Sequence, residues 1–112
     1  MSDMARLVAA LDDLAAEGRC TTYGVLAAQI GLEGGGRISS LTGMLETLMV
    51  EDARKGQPLR ASVVLGRASG GLPARGYFMA ARALGLYDGQ DTGPAAVGFH
   101  ASQLQAVFAA AG

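Results

Sequence analysis

Gly18-Arg19-Cys20-Thr21-Thr22-Tyr23-Gly24-Val25-Leu26-Ala27-Ala28-Gln29-Ile30-Gly31 encodes a short helix together with both of its boundaries. Gly18 stops the preceding segment, and Thr21 or Thr22 offers a hydroxyl to cap the helix that follows. Val25, Leu26, Ala28 and Ile30 supply its buried face until Gly31 ends it.

Upstream, Leu7, Val8, Leu11, Leu14 and Ala15 recur at helical spacing, with Asp12, Asp13 and Glu17 on another face. An amphipathic helix over 4–17 is expected. Downstream, Glu33-Gly34-Gly35-Gly36-Arg37 reads as a turn, after which Ser39 or Ser40 can cap a third helix. Its apolar stripe is Ile38, Leu41, Met44, Leu45, Leu48 and Met49. Two helices joined by a glycine turn match a helix-turn-helix, with the third helix as the one that reads a groove. Arg37, Ser40, Thr42, Gly43, Glu46 and Thr47 would furnish its outward side.

Gly56-Gln57-Pro58 breaks the helical pattern, and Ala61-Ser62-Val63-Val64-Leu65 has the β-branched density of a strand. Arg67-Ala68-Ser69-Gly70-Gly71 reads as a turn, and Leu72-Pro73-Ala74-Arg75-Gly76 as the returning edge, so strand and return predict a short β-hairpin wing. Helices over 77–84 and 101–111 complete the chain. The fold class expected is mostly α: one winged helix-turn-helix domain spanning 1–112, with its core over about 4–86 and an extra C-terminal helix over about 99–111.

The run Gly-x-x-Thr-Thr-Tyr-Gly-x-Leu-Ala resembles the DNA-binding half of the O6-alkylguanine DNA alkyltransferases and the non-reacting alkyltransferase-like proteins. The resemblance covers residues 6–86 as an order of elements. It implies DNA as partner, with Tyr23 placed against a phosphate and Arg37 as the arginine that fills a vacated base stack. In the family a Pro-Cys-His-Arg-Val strand carries the acceptor thiolate. Here the strand reads Pro58-Leu59-Arg60-Ala61-Ser62-Val63-Val64, with neither cysteine nor histidine. Methyl transfer in the family's manner is therefore excluded. Two readings remain, base inspection without reaction or ordinary winged-helix binding, because extruding a damaged base costs only a few kcal/mol. The segment from Pro58 to Phe78 is also similar to small winged-helix modules that accompany restriction-type nucleases.

Charge is distributed unevenly behind a formal net charge of −1. Residues 1–53 hold three basic and eight acidic side chains, whereas 54–82 hold Arg54, Lys55, Arg60, Arg67, Arg75 and Arg82 with no acid. The basic stretch coincides with the expected wing, and local charge governs phosphate binding more than the total does. The residues expected to contact double-stranded DNA are Thr22, Tyr23, Arg37, Ser39, Ser40, Thr47, Arg54, Lys55, Arg60, Arg67 and Arg75. Glu46 opposes that reading, since a carboxylate on a groove-facing helix repels phosphate unless it accepts from a cytosine N4.

Other chemistry is sparse. Cys20 is the only cysteine and His100 the only histidine, too few for a Cys/His zinc site or for an intramolecular disulfide. Cys20 reads as a small apolar residue packed before a helix, and His100 as a surface or capping residue. Gly34-Gly35-Gly36 lacks the Lys-Ser/Thr of a phosphate loop. No catalytic residue, metal or cofactor is expected. The start has no signal-peptide character and no apolar run approaches the ~20 residues of a membrane span, so a cytoplasmic protein away from membranes is expected. The alternative function is a protein-interaction or adaptor module, with a partner or a second copy docking on the alanine-rich C-terminal helix.

Overall fold

The computed structural model describes residues Met1–Gly112. Helix α1, Asp3–Glu17, begins where Ser2 Oγ accepts from the Ala5 amide at 3.0 Å and ends at Gly18. At φ 66° Gly18 turns left-handed, letting its own N–H reach the Ala15 carbonyl and that of Arg19 reach Leu14. Leu7, Ala10, Leu11 and Leu14 are its buried side.

Strand β1, Thr21–Thr22, leads straight into α2, Tyr23–Gln29. Of the two candidate caps Thr22 serves, its Oγ1 accepting from the Val25 amide at 3.4 Å. The third helix, α3, covers Arg37–Arg54 and is capped at Gly36, three or four residues ahead of the expected serine cap, with no side-chain cap bond. Its buried stripe is Leu41, Leu45, Leu48, Met49 and Asp52. Ile38, placed in that stripe on sequence, stands in the first turn beyond the reach of the core and is exposed.

The expected strand over 61–65 and the hairpin wing require correction. Arg60–Val63 is a 3-10 turn, and only Val64–Leu65 forms strand β2. Strand β2 pairs in parallel with β1, Thr21 opposite Val64 and Thr22 opposite Leu65, so there is no hairpin. The apolar density of 61–64 reports burial instead: Ala61, Ser62, Val63 and Val64 lie inside the protein. Residues 66–72 fold on themselves, with the Gly66 amide donating to the Leu72 carbonyl at 2.9 Å. Leu72 and Pro73 are buried, and Pro73 has no N–H to give to a ladder.

Helix α4, Arg75–Ala83, begins two residues before the expected start. Helix α5, Pro94–Ala111, begins seven residues before residue 101. Gly93-Pro94 sets that start: Gly93 takes φ 92° and Pro94 sits at the first helical position, where a missing N–H costs nothing. The added turns bury Ala96 and His100 and bring Phe99 onto Tyr87, ring centroids 4.8 Å apart. Helix α5 is thus part of the core and not an appendage outside 4–86. No helix is long and apolar enough to cross a membrane.

Candidate nucleic-acid interface

Helix α3 presents its outward side at spacings of three and four: Ser39, Ser40, Gly43, Thr47, Val50 and Arg54 are all exposed, and Arg37 opens the helix. Thr47 Oγ1 donates back to the Gly43 carbonyl at 3.1 Å. The 18-residue helix is about 26 Å from end to end.

Glu46, one turn from Gly43 and from Val50, lies at the edge of that side. It is partly buried on the flank of α3 and helps to line a small cavity with Tyr23, Thr42, Leu45, Met49, Ala61 and Tyr77. Burial, and then the Glu46 charge, push the Tyr23 phenol up, against the opposing pull of its hydrogen bond with the Ala74 amide.

Tyr23, expected against a phosphate, is buried, and its hydroxyl accepts from the Ala74 amide at 3.0 Å. The phenol ties the start of α2 to the segment before α4. The cavity beside it measures about 10 Å³, room for one water and far too little for a nucleobase. Thr22 is half-buried and occupied in capping α2.

The fold also redistributes the charge. Arg60 is paired with the fully buried Asp52: its Nε donates to Oδ1 at 3.0 Å, its Nη2 lies 2.8 Å from Oδ1, and its backbone amide donates to Oδ2 at 3.0 Å. Those bonds raise the guanidinium's pKa further. Arg75 is 78% exposed but lies 3.4 Å from Asp91. Arg82 Nη1 stands 2.7 Å from Asp91 Oδ1, at an angle outside that of a hydrogen bond, and donates to the Gly89 carbonyl. Lys55 reaches Glu51 at 3.2 Å. Acids from both flanks thus fold onto the basic stretch, leaving Arg37, Arg54 and Arg67 as the cations outside any ion pair.

The segment that aligns with the family's reactive strand is turned inward. Ser62 is fully buried, and its hydroxyl is 2.7 Å from that of Tyr77. His100 is buried rather than at the surface, and its Nε2 lies 2.8 Å from the Ser62 carbonyl, so that nitrogen carries the proton and donates. Burial raises the pKa of Tyr77 strongly and that of the half-buried Cys20 thiol.

No family profile, curated protein or solved structure matches this chain.

Tyr77 and Phe78 pack inward, as an aromatic pair on an amphipathic helix should, whereas the sequence reading assigns no interior role to Asp52, Ser62 or His100. Two of them were detectable. Asp52 continues the helical stripe Leu41, Leu45, Leu48, and His100 stands on the stripe Ala96, Gln103, Val107. A polar residue on an apolar stripe signals a buried partner. Ser62 and Tyr77 meet only through the tertiary fold and carry no such sign.

Proposed function

We propose that this chain binds double-stranded DNA non-covalently, as a winged-helix type of helix-turn-helix domain related in plan to the alkyltransferase-like proteins. Helix α3 enters a groove. Arg37, Arg54 and Arg67 meet phosphates, and the turn over 66–72 takes the place of a hairpin wing. The observation that supports this best is the division of α3 into two sides. Ser39, Ser40, Gly43 and Thr47 stand outward between two unpaired arginines, while Glu46 is withdrawn toward Tyr23. Glu46 nonetheless stays one turn from Gly43 and Val50, so a bound duplex has to keep its phosphates clear of this carboxylate.

Ordinary groove binding is favoured over base inspection, because the space beside Tyr23 is filled by the protein itself. Arg60 is reassigned from a phosphate contact to its pairing with the buried Asp52, whereas Lys55 and Arg75, paired only at the surface, stay available to phosphate. A protein partner is the second reading, and one observation favours it: Ile38 and Val50 are 40% and 44% exposed on the same helix. Val50 shares the outward stripe.

Fluorescence anisotropy of two labelled duplexes, one plain and one containing O6-methylguanine, at two salt concentrations tests the proposal. Salt-sensitive binding of equal strength to both is expected. Preference for the lesion would restore base inspection, and absence of binding at low salt would leave the protein-interaction reading.

A further inference from the structure

Asp91 lies in the loop between α4 and α5 and meets two arginines of α4 at once. Its Oδ2 is 3.4 Å from Arg75 Nε, and its Oδ1 is 2.7 Å from Arg82 Nη1. The loop holds the acid in place. Arg82 Nη1 donates to the Gly89 carbonyl at 3.0 Å, Tyr87 Oη donates to the Gln90 carbonyl at 2.7 Å, and the Tyr87 ring stacks on Phe99. Asp91 therefore stands against the arginines without any further ordering of the chain.

The place of Arg75 gives this contact its consequence. A methyl added at Gly76 would lie 3.3 Å from Thr42 Cγ2, so α4 begins against α3, one residue before Gly43 of the outward side. Arg75 thus stands beside the helix assigned to the groove. The contact is one of charge more than of hydrogen bonding. At 3.4 Å the Arg75 approach is longer than a good hydrogen bond, Asp91 Oδ1 is buried yet accepts none, and Arg75 is 78% exposed. An ion pair so exposed is weak, and a phosphate oxygen aligned on the same guanidinium can displace the carboxylate.

We propose that Asp91 is a built-in competitor for DNA phosphate: it occupies Arg75 beside α3, and a duplex gains that arginine only by displacing it. Resting on the DNA-binding reading above, the role is a graded brake on affinity, because Arg37, Arg54 and Arg67 stay outside the contact.

Anisotropy titration of a plain duplex at low salt compares the unaltered chain with Asp91→Asn, an isosteric change. Binding about threefold tighter is expected. Asp88→Asn removes the same charge from the same loop without breaking an ion pair, and should tighten binding less. In an Arg75→Ala background the gain from Asp91→Asn should shrink to that of Asp88→Asn. Arg75→Ala in the otherwise unaltered chain, which leaves the loop sequence intact, should weaken binding less than Arg54→Ala does. Equal gains from Asp91→Asn and Asp88→Asn, a gain from Asp91→Asn that survives Arg75→Ala, or a loss from Arg75→Ala as large as that from Arg54→Ala would each overturn the competitor while duplex binding stands. Absence of duplex binding by the unaltered chain would overturn the DNA reading and the competitor together.

Discussion

His100 Nε2 donates to the carbonyl oxygen of Ser62 across 2.8 Å, joining residues 38 positions apart inside the protein. The bond fastens α5 to the 3-10 turn just before the backbone enters strand β2. Tyr77 completes the arrangement: its hydroxyl meets Ser62 Oγ, and its ring stands edge-on to His100 with centroids 6.2 Å apart. The C-terminal helix thereby shares one hydrophobic core with α1–α4.

His100→Ala should cost about 2–4 kcal/mol, since it leaves both a cavity and an unsatisfied buried carbonyl. Urea unfolding checks this through a lower midpoint at an unchanged slope. His100→Gln, which keeps a donor, should recover part of the loss. A change below ~0.5 kcal/mol would mean that α5 docks without this bond.

Tyr23 and Tyr77 give the fold an alkaline limit. Burial raises both phenols above their unfolded pKa of about 10, so their protons are held more tightly in the folded state. Their contribution is fully present below pH ~10 and is lost as pH rises from there toward the folded values. Stability should fall steadily above pH ~10. Phenolate absorbance from these two residues should appear together with the loss of helical circular dichroism, and Tyr77→Phe should flatten the decline. Ionisation of Tyr77 well before unfolding would contradict the burial account.

Gly43 lies in the middle of α3 on its outward side, and a methyl added there meets nothing within 4 Å. Gly43→Ala should therefore stabilise the isolated protein by up to about 1 kcal/mol through helix propensity and a less mobile unfolded chain. If α3 approaches a groove closely, the same change should weaken duplex binding. A thermal melt and an anisotropy titration on one sample separate the two effects, and a stabilised variant with unaltered affinity would place Gly43 outside the contact.

Arginines of the basic stretch should divide into two classes. Arg54→Ala and Arg67→Ala, which break no ion pair, should each lower the slope of log affinity against log salt by about 0.9 with little change in stability. Arg60→Ala should instead destabilise by about 3 kcal/mol, because Asp52 would be left buried without its partner. Salt titrations paired with urea midpoints distinguish the classes. A salt slope that responds to Arg60→Ala while stability holds would reverse the assignment.

The helices were legible because their signals are local. Gly18, Thr22 and Gly31 delimit α1 and α2, and the stripe Leu41, Leu45, Leu48 places α3 with its buried face in register. The start of α5 was legible in Gly93-Pro94 as well, had the proline been read as a first helical residue. Residues 61–65 were misleading, since β-branched density accompanies burial whether or not a ladder forms, and Val64–Leu65 found its partner in Thr21–Thr22 more than forty positions earlier.

Chain chemistry alone therefore settled which segments are helical, because caps and periodicity act within a few residues, but not every start or buried side: Val25 and Ala28, expected inside α2, face outward, and Ala27 is buried in their place. It also excluded a Cys-His acceptor of the alkyltransferase kind. Only the folded arrangement decided which charges remain free. Asp52 lies eight residues before Arg60, and Asp91 is nine beyond Arg82, so the apparent block of positive charge is largely spent on acids that sequence order keeps outside it. The same holds for Tyr23 and His100, whose surroundings are assembled by segments far apart in the chain: position in sequence specifies a side chain's chemistry, but packing specifies whether that chemistry faces solvent or the protein itself.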